Sequence, residues 1–149
     1  MVWKLRRCKV IPRFRGLSID ENSKGKMQYG YLIVDDNQAF IINEVVEANE
    51  QYITIGSWCP IDLKTVGQST GVKDKNDKEI FKGDILALET DEELINVEVF
   101  WDEKHTLFMV ASKKYHEKAP LAELLDYNSY PFKIIGNIYE NPELLEVTE

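Results

Sequence analysis

Two cysteines and two histidines are all that 149 residues offer to thiol or soft-metal chemistry, and Cys8, Cys59, His105 and His116 are scattered. With no Cys-x-x-Cys or His-x-x-x-His pair, no zinc spacing exists and no structural metal is expected. Two thiols so far apart in sequence are expected to stay reduced in a cytoplasmic protein. No stretch approaches the roughly 20 apolar residues that span a bilayer. The N-terminus carries basic residues without an apolar run or a small-residue cleavage site behind them, so it does not read as a signal peptide and a cytoplasmic location is expected. Acidic residues are missing before Asp20, whereas Lys4, Arg6, Arg7, Lys9, Arg13 and Arg15 all fall there. The net charge of −8 and pI of 4.9 repel polyanions, which disfavours a general nucleic-acid coat.

What is present is a globular composition, 44% hydrophobic and 30% charged, enough for one ordinary core or two small barrels sharing an interface. Short aromatic and β-branched runs recur between turn residues. Tyr29 to Val34 and Gln38 to Asn43, separated by Asp35-Asp36-Asn37, read as a β-hairpin because Asp and Asn tolerate left-handed backbone. Tyr52 to Ile55 is a further strand, and Pro60 in Trp58-Cys59-Pro60-Ile61 is expected to bend the chain because proline cannot donate to a ladder. Arg13-Phe14-Arg15 fits a strand with one wet face, or a basic stripe facing an acidic partner.

Between Gly67 and Gly83 the glycines, Asp, Asn and alternating charges predict a loop, with one tight turn at Lys75-Asn76-Asp77-Lys78. Strands Ile85 to Leu88, Leu94 to Trp101, Thr106 to Ala111 and Phe132 to Tyr139 follow. In Leu94 to Trp101, residues Ile95, Val97, Val99 and Trp101 share one face. This order is the sequence habit of a small SH3-like barrel. Short helices are expected at Pro120 to Leu125 and at Asn141 to Leu145, the latter with Asn141 as N-cap and Pro142 at the first helical position. The expected architecture is mainly β: residues 1–66 as an N-terminal β-hairpin region with a basic leading strand, and 67–149 as an SH3-like barrel with short C-terminal helices, unless both form one intertwined domain.

Two segments are more specific than the rest. Thr65, Val66, Gly67, Gln68, Thr70, Gly71, Asp74, Asn76, Ile80, Gly83, Asp84 and Ile85 occupy one pattern, and Ile135-Gly136-Asn137-Ile138-Tyr139-Glu140-Asn141-Pro142-Glu143-Leu144-Leu145 closes the chain. Together with Arg13-Phe14-Arg15 and Tyr29-Gly30-Tyr31, these resemble the defining stretches of the YopX family of bacteriophage and prophage proteins. Asn76-Asp77 stands where the family pattern leads one to expect Asn-Gly, and Ser69 where an aromatic is common. The resemblance implies a mainly β phage or prophage accessory protein, with no established activity and no catalytic residue to carry over.

Chemistry is sparse. Gly67-Gln68-Ser69-Thr70-Gly71 lacks the lysine and following helix of a phosphate-binding loop, so its glycines are expected to serve a turn. Carboxylates at Asp91-Glu92-Glu93 and Asp102-Glu103 read as an acidic surface, and Ser57 or Cys59 with His105 or His116 forms no recognisable constellation. Asp84, after Gly83 at a strand entry, is expected to cap backbone amides. The expectation is a non-enzymatic protein-interaction module without a cofactor. It would act by self-association or through a host or phage protein, with Trp3, Phe14, Tyr29, Tyr31, Phe40 and Trp58 as the candidate interface. The alternative is a nucleic-acid binder that tracks phosphates with Lys4, Arg6, Arg7, Lys9, Arg13 and Arg15 and stacks bases on Trp3 or Phe14.

Overall fold

The computed structural model describes residues 12–126 and 129–146. Among them every regular element is a strand or a 3-10 turn, and no α-helix occurs. The strands are β1 (Phe14–Leu17), β2 (Met27–Asp35), β3 (Gln38–Ala48), β4 (Ile53–Ile61), β5 (Gly67–Lys73), β6 (Glu79–Phe81), β7 (Asp84–Glu89), β8 (Leu94–Asp102), β9 (Leu107–Ser112), β10 (Glu117–Pro120) and β11 (Phe132–Asn137). They form a six-stranded sheet of order β4-β3-β2-β1-β5-β6 and a five-stranded sheet of order β10-β9-β8-β7-β11, both with antiparallel ladders. Two compact units, Met1–Gly71 and Val72–Glu149, divide the chain inside β5.

In the first unit, Asp35 pairs with Gln38, leaving a two-residue loop in which Asp36 takes φ 54. An aspartate tolerates that conformation because its short polar side chain bonds locally. Ala39, Ile41 and Ile61 form a small buried cluster, with Phe14, Leu32 and Val66 packed against it. Their strand partners alternate between this core and the opposite face. β3 and β4 then run past the core as a hairpin arm, turned by Asn49, whose Oδ1 accepts from the Gln51 and Tyr52 amides. Every residue from Asn43 to Trp58 is exposed.

Pro60 does not end β4, as its proline character suggests, but sits one residue inside it. Its carbonyl accepts from Ile19 N at 3.1 Å, away from β3, so its missing N–H falls on the side where the β3 ladder loses nothing. Residues 67–83 also differ from the loop expected of them. They hold β5 and β6, and only the turn between keeps loop chemistry, with Asp77 at φ 63. Arg15, expected on a wet face, is 3% exposed.

In the second unit Ile80, Leu86, Val97, Val99, Val110, Leu121 and Phe132 form one buried cluster. Val97 and Val99 lie on the expected inner face of β8, partly buried Ile95 packs against the cluster, and Trp101 at the end of that face is 40% exposed against Phe108. A closed barrel is expected from the sequence, yet β10 and β11 stand at opposite ends of the strand order and the sheet is open. The two expected helices are 3-10 turns, Leu121–Leu125 and Pro142–Leu145. Each holds a single buried apolar residue, Leu121 and Leu145, and is too short for the repeating i to i−4 bonds of an α-helix.

Candidate functional site

Three places in the structure concentrate the residues singled out in the sequence. The first is a set of side chains that hold turns. Asp74 is buried, and its Oδ1 accepts from Asn76 N and Lys78 N while its Oδ2 accepts from Ile134 N, all at 2.9 Å. Burial pushes its carboxyl up, but the amides of Ile134, Lys78 and Asn76, helped by the Lys78 charge, outweigh burial and hold it below the ordinary value of 3.8. Asp84, 2% exposed, accepts from Phe81 N at 2.8 Å across the turn in which Gly83 takes φ +93. Its carboxylate thus caps a backbone amide of the preceding segment.

At the C-terminal signature, Asn137 Oδ1 accepts from Tyr139 N and Glu140 N, and its Nδ2 donates to Glu140. The ladder between β11 and β7 slips between Ile134 and Gly136. A Cβ on Gly136 would lie 2.5 Å from Asn141 Oδ1, so the glycine leaves room for that side chain. Asn141 does not cap Pro142–Leu145 with its side chain; its oxygen accepts from Asn137 N at 3.3 Å. Leu145 is buried and the Leu144 carbonyl accepts from Asn96 Nδ2, which fastens the turn to β8. Of the other signature residues, Gly67 is buried, Gln68 is exposed, Thr70 is half-buried and Gly71 is exposed at φ +80, all on β5. Pro142 opens its 3-10 turn as expected of a residue with preset φ.

The second place is an apolar face of the first sheet. Tyr31 pairs with Ile42, Ile33 with Phe40, Ile42 with Trp58 and Phe40 with Pro60, so these side chains share one side of β2, β3 and β4. Tyr31, Ile33 and Trp58 are exposed, Tyr29 lies two residues back on β2 and is also exposed, and the Phe40 and Trp58 rings meet edge to face at 5.8 Å. Of the candidate interface set, Tyr29, Tyr31, Phe40 and Trp58 meet on this face. Phe14 instead packs on the core of the first unit, and Trp3 lies outside the described residues. Ile33, which composition hides among ordinary strand residues, was missed; its alternation with Tyr31 is the signal that could have found it.

The third place is a hollow of about 350 Å³ lined by Arg13, Tyr29, Gly30, Tyr31 and Asn43. Asn43 Nδ2 donates to Gln28 Oε1 at 3.1 Å and to the Tyr29 carbonyl, which fixes the amide at its rim. Of the basic stripe, Arg13 is exposed here and Arg15 is buried, while Lys4, Arg6, Arg7 and Lys9 lie outside the described residues.

Elsewhere the chemistry stays thin. Among the described residues no three His, Cys, Asp or Glu side chains converge as a metal site, and no helix is long and apolar enough to cross a membrane. Cys59 is a free buried thiol that donates to Ser18 Oγ at 3.0 Å. His105 Nδ1 and Asp102 Oδ2 lie 2.8 Å apart on the exposed turn after β8. Hydrogen bonding to His105 holds the Asp102 carboxyl below its usual value.

No curated protein matches the chain. Among solved structures it is similar to protein EF1440 from Enterococcus faecalis, with TM-score 0.63 and 28% identity over 93% of this chain and all of that one. It also shares the fold of YopX from Bacillus subtilis, with TM-score 0.52 and 20% identity over 90% of this chain and 98% of that one. A family model described as YopX protein matches residues 13–146, a span that takes in the capped turns, the apolar face and the hollow, and the chain therefore belongs to the YopX family.

Proposed function

We propose that this protein is a non-enzymatic interaction module of phage or prophage origin, working in the bacterial cytoplasm through protein contacts made by the apolar face of β2, β3 and β4. One observation carries this reading: Tyr31, Ile33 and Trp58, at 55%, 48% and 59% exposure, lie together on paired strands. Large apolar side chains gathered at the surface mark a contact site far more often than a chance arrangement. Tyrosine and tryptophan also suit one, since they offer broad area at low entropic cost.

The second unit supports a modular reading. Four strands meander, a 3-10 turn follows, and the last strand returns beside the first, an order that corresponds to an SH3-like module. Tagged full-length protein recovered from cells carrying the element should retain the same partner reproducibly, and Tyr31→Ser with Trp58→Ser should release it. Unchanged recovery by that folded double variant overturns the reading.

The hollow beside Arg13 favours one second reading, a site for single-stranded nucleic acid. Tyr29 and Tyr31 would stack bases and Arg13 would meet phosphate. Absence of binding to single-stranded DNA and RNA at low salt, where the electrostatic attraction is greatest, would remove it.

A further inference from the structure

At the end of the first sheet that carries the β2–β3 turn lies a hollow of about 200 Å³. Ile19, Ala39, Phe40, Pro60 and Ile61 make its apolar wall, and Asn37 and Gln38 complete the lining at the turn. The wall is fixed by backbone bonds, since Ile19 N donates to the Pro60 carbonyl at 3.1 Å and Ser18 forms a bridge with Ile61. An apolar cavity of roughly 150 Å³ already admits a benzene ring, so this one has room for one large apolar side chain. Phe40 belongs both to this wall and to the apolar face, where its ring meets that of Trp58.

The polar surroundings say what such a side chain would bring with it. The residues that flank the lining segments in sequence are Ser18, Asp20, Asp36, Ile41, Cys59 and Asp62, three of them aspartates and none basic. Asp35 is added by its pairing with Gln38. None of Asp20, Asp35, Asp36 and Asp62 forms an ion pair among the described residues. The closest bases in sequence, Lys24, Lys26 and Lys64, stand beyond these acids, on the approach to β2 and in the Leu63–Thr65 turn. Carboxylates gathered without counter-charge favour a cationic partner and repel phosphate, which separates this hollow from the one beside Arg13. The side-chain amides of Asn37 and Gln38 bond nothing among the described residues, so they are available to a peptide backbone.

We propose that the hollow receives one large apolar side chain of a basic peptide segment, an extended stretch of a partner protein in which that side chain is flanked by lysine or arginine. The inference rests on the interaction-module reading and names the chemistry that the partner presents. Asp35 and Asp36 lie on the hairpin side of the hollow, and Asp20 and Asp62 on the β4 side, so bases before and after the anchor each meet a carboxylate. The anchor supplies affinity by leaving water, and the flanking charges supply selectivity.

Titration of the isotope-labelled full chain with the capped peptide Gly-Lys-Lys-Phe-Lys-Lys-Gly, read by amide chemical shifts, tests the proposal. Saturable shifts are expected at Ile19, Gln38, Phe40 and Ile61, with a dissociation constant below about 1 mM, the weak end of specific recognition. Alanine in place of the phenylalanine should weaken binding at least about tenfold, because the anchor is lost. Glutamates in place of the lysines should abolish it. Raising salt from about 0.01 to 1 M, which shortens the Debye length from roughly 30 to 3 Å, should weaken it at least about fivefold. Ile19→Lys, at a position 54% exposed, should remove binding while keeping the wild-type melting curve. Asp36→Asn, which still tolerates φ 54, should weaken it about two- to threefold. No shifts with the lysine peptide, equal affinity for the glutamate or alanine peptide, or unchanged binding by Ile19→Lys overturns the proposal. So do shifts at the hollow that grow with protein concentration alone, since a second copy then fills it. The titration reads the hollow by itself, and the Tyr31→Ser, Trp58→Ser recovery reads the face in the cell. A partner lost by that double variant together with no peptide binding sinks this inference alone, whereas peptide binding with no recovered partner sinks the broader reading.

Discussion

The second unit turns its apolar side chains inward, and the first leaves them outside. Seven buried residues make the core of one; three make the core of the other. Of seventeen large apolar residues exposed among the described ones, twelve lie in the first unit and five in the second. A soluble chain tolerates scattered exposed leucines, but a concentration on one sheet and one arm is a different matter. The difference teaches that the two regions answer to different demands: the second is shaped by its own packing, whereas the first keeps much of its apolar surface outside any core of its own.

The contrast predicts unequal responses to the same truncation. Leu86→Ala, at a fully buried position in the second core, should cost about 2–5 kcal/mol in urea denaturation. Ile53→Ala on the arm should change stability by no more than about 0.5 kcal/mol, because there is no enclosed cavity to create. Equal losses would erase the distinction between the two regions.

Next in size comes Asp74. Asp74→Ala removes a carboxylate that three amides rely on, and a loss of about 2–3 kcal/mol is expected. The same residue gives an acid limb. Its folded carboxyl lies below the ordinary 3.8, so the unfolded chain takes up the proton first; the contribution is present above that value and disappears as pH falls through the folded one. Denaturation curves for Asp74→Asn should therefore lose part of the wild-type decline between pH 4 and the acid end of the scan.

A smaller effect is expected at Gly83, whose φ of +93 strains any other residue. Gly83→Ala should cost about 1–2 kcal/mol by thermal melting. The smallest is on the apolar face, where Tyr31→Ser should leave the melting temperature within about 2 °C, consistent with a surface change, while weakening partner retention. A large drop in melting temperature would instead make that face part of the first unit's own packing.

Much of this was legible from residue order because local rules and tertiary packing agreed. The β2–β3 hairpin could be read from Asp35-Asp36-Asn37, and the inner face of β8 from strict alternation. The readings that failed did so where one side chain's role depends on a distant neighbour. Asn141 looks like a helix cap in isolation, but the bulge at Gly136 draws its oxygen to Asn137. β5 and β6 hide among glycines and charges because their pairing, not their propensity, makes them strands. Pro60 could be placed in a strand only once its outward carbonyl was known. The apolar face was half visible: the aromatics stand out by type and Ile33 by its spacing from Tyr31, but only register sets Ile33 opposite Phe40, and only packing shows that Phe14 lies elsewhere.

Cys59 gives the molecule a clock of its own. Its sulfur is sealed beside Ser18 in the first unit, where a thiol reagent can reach it only when the strands around it part. The rate at which that sulfur is alkylated therefore times the breathing of one half of the chain, while the emission of Trp101, set edge to face against Phe108 in the other half, follows the second. The two signals should separate under mild denaturant if the halves open independently, and coincide if they open as one.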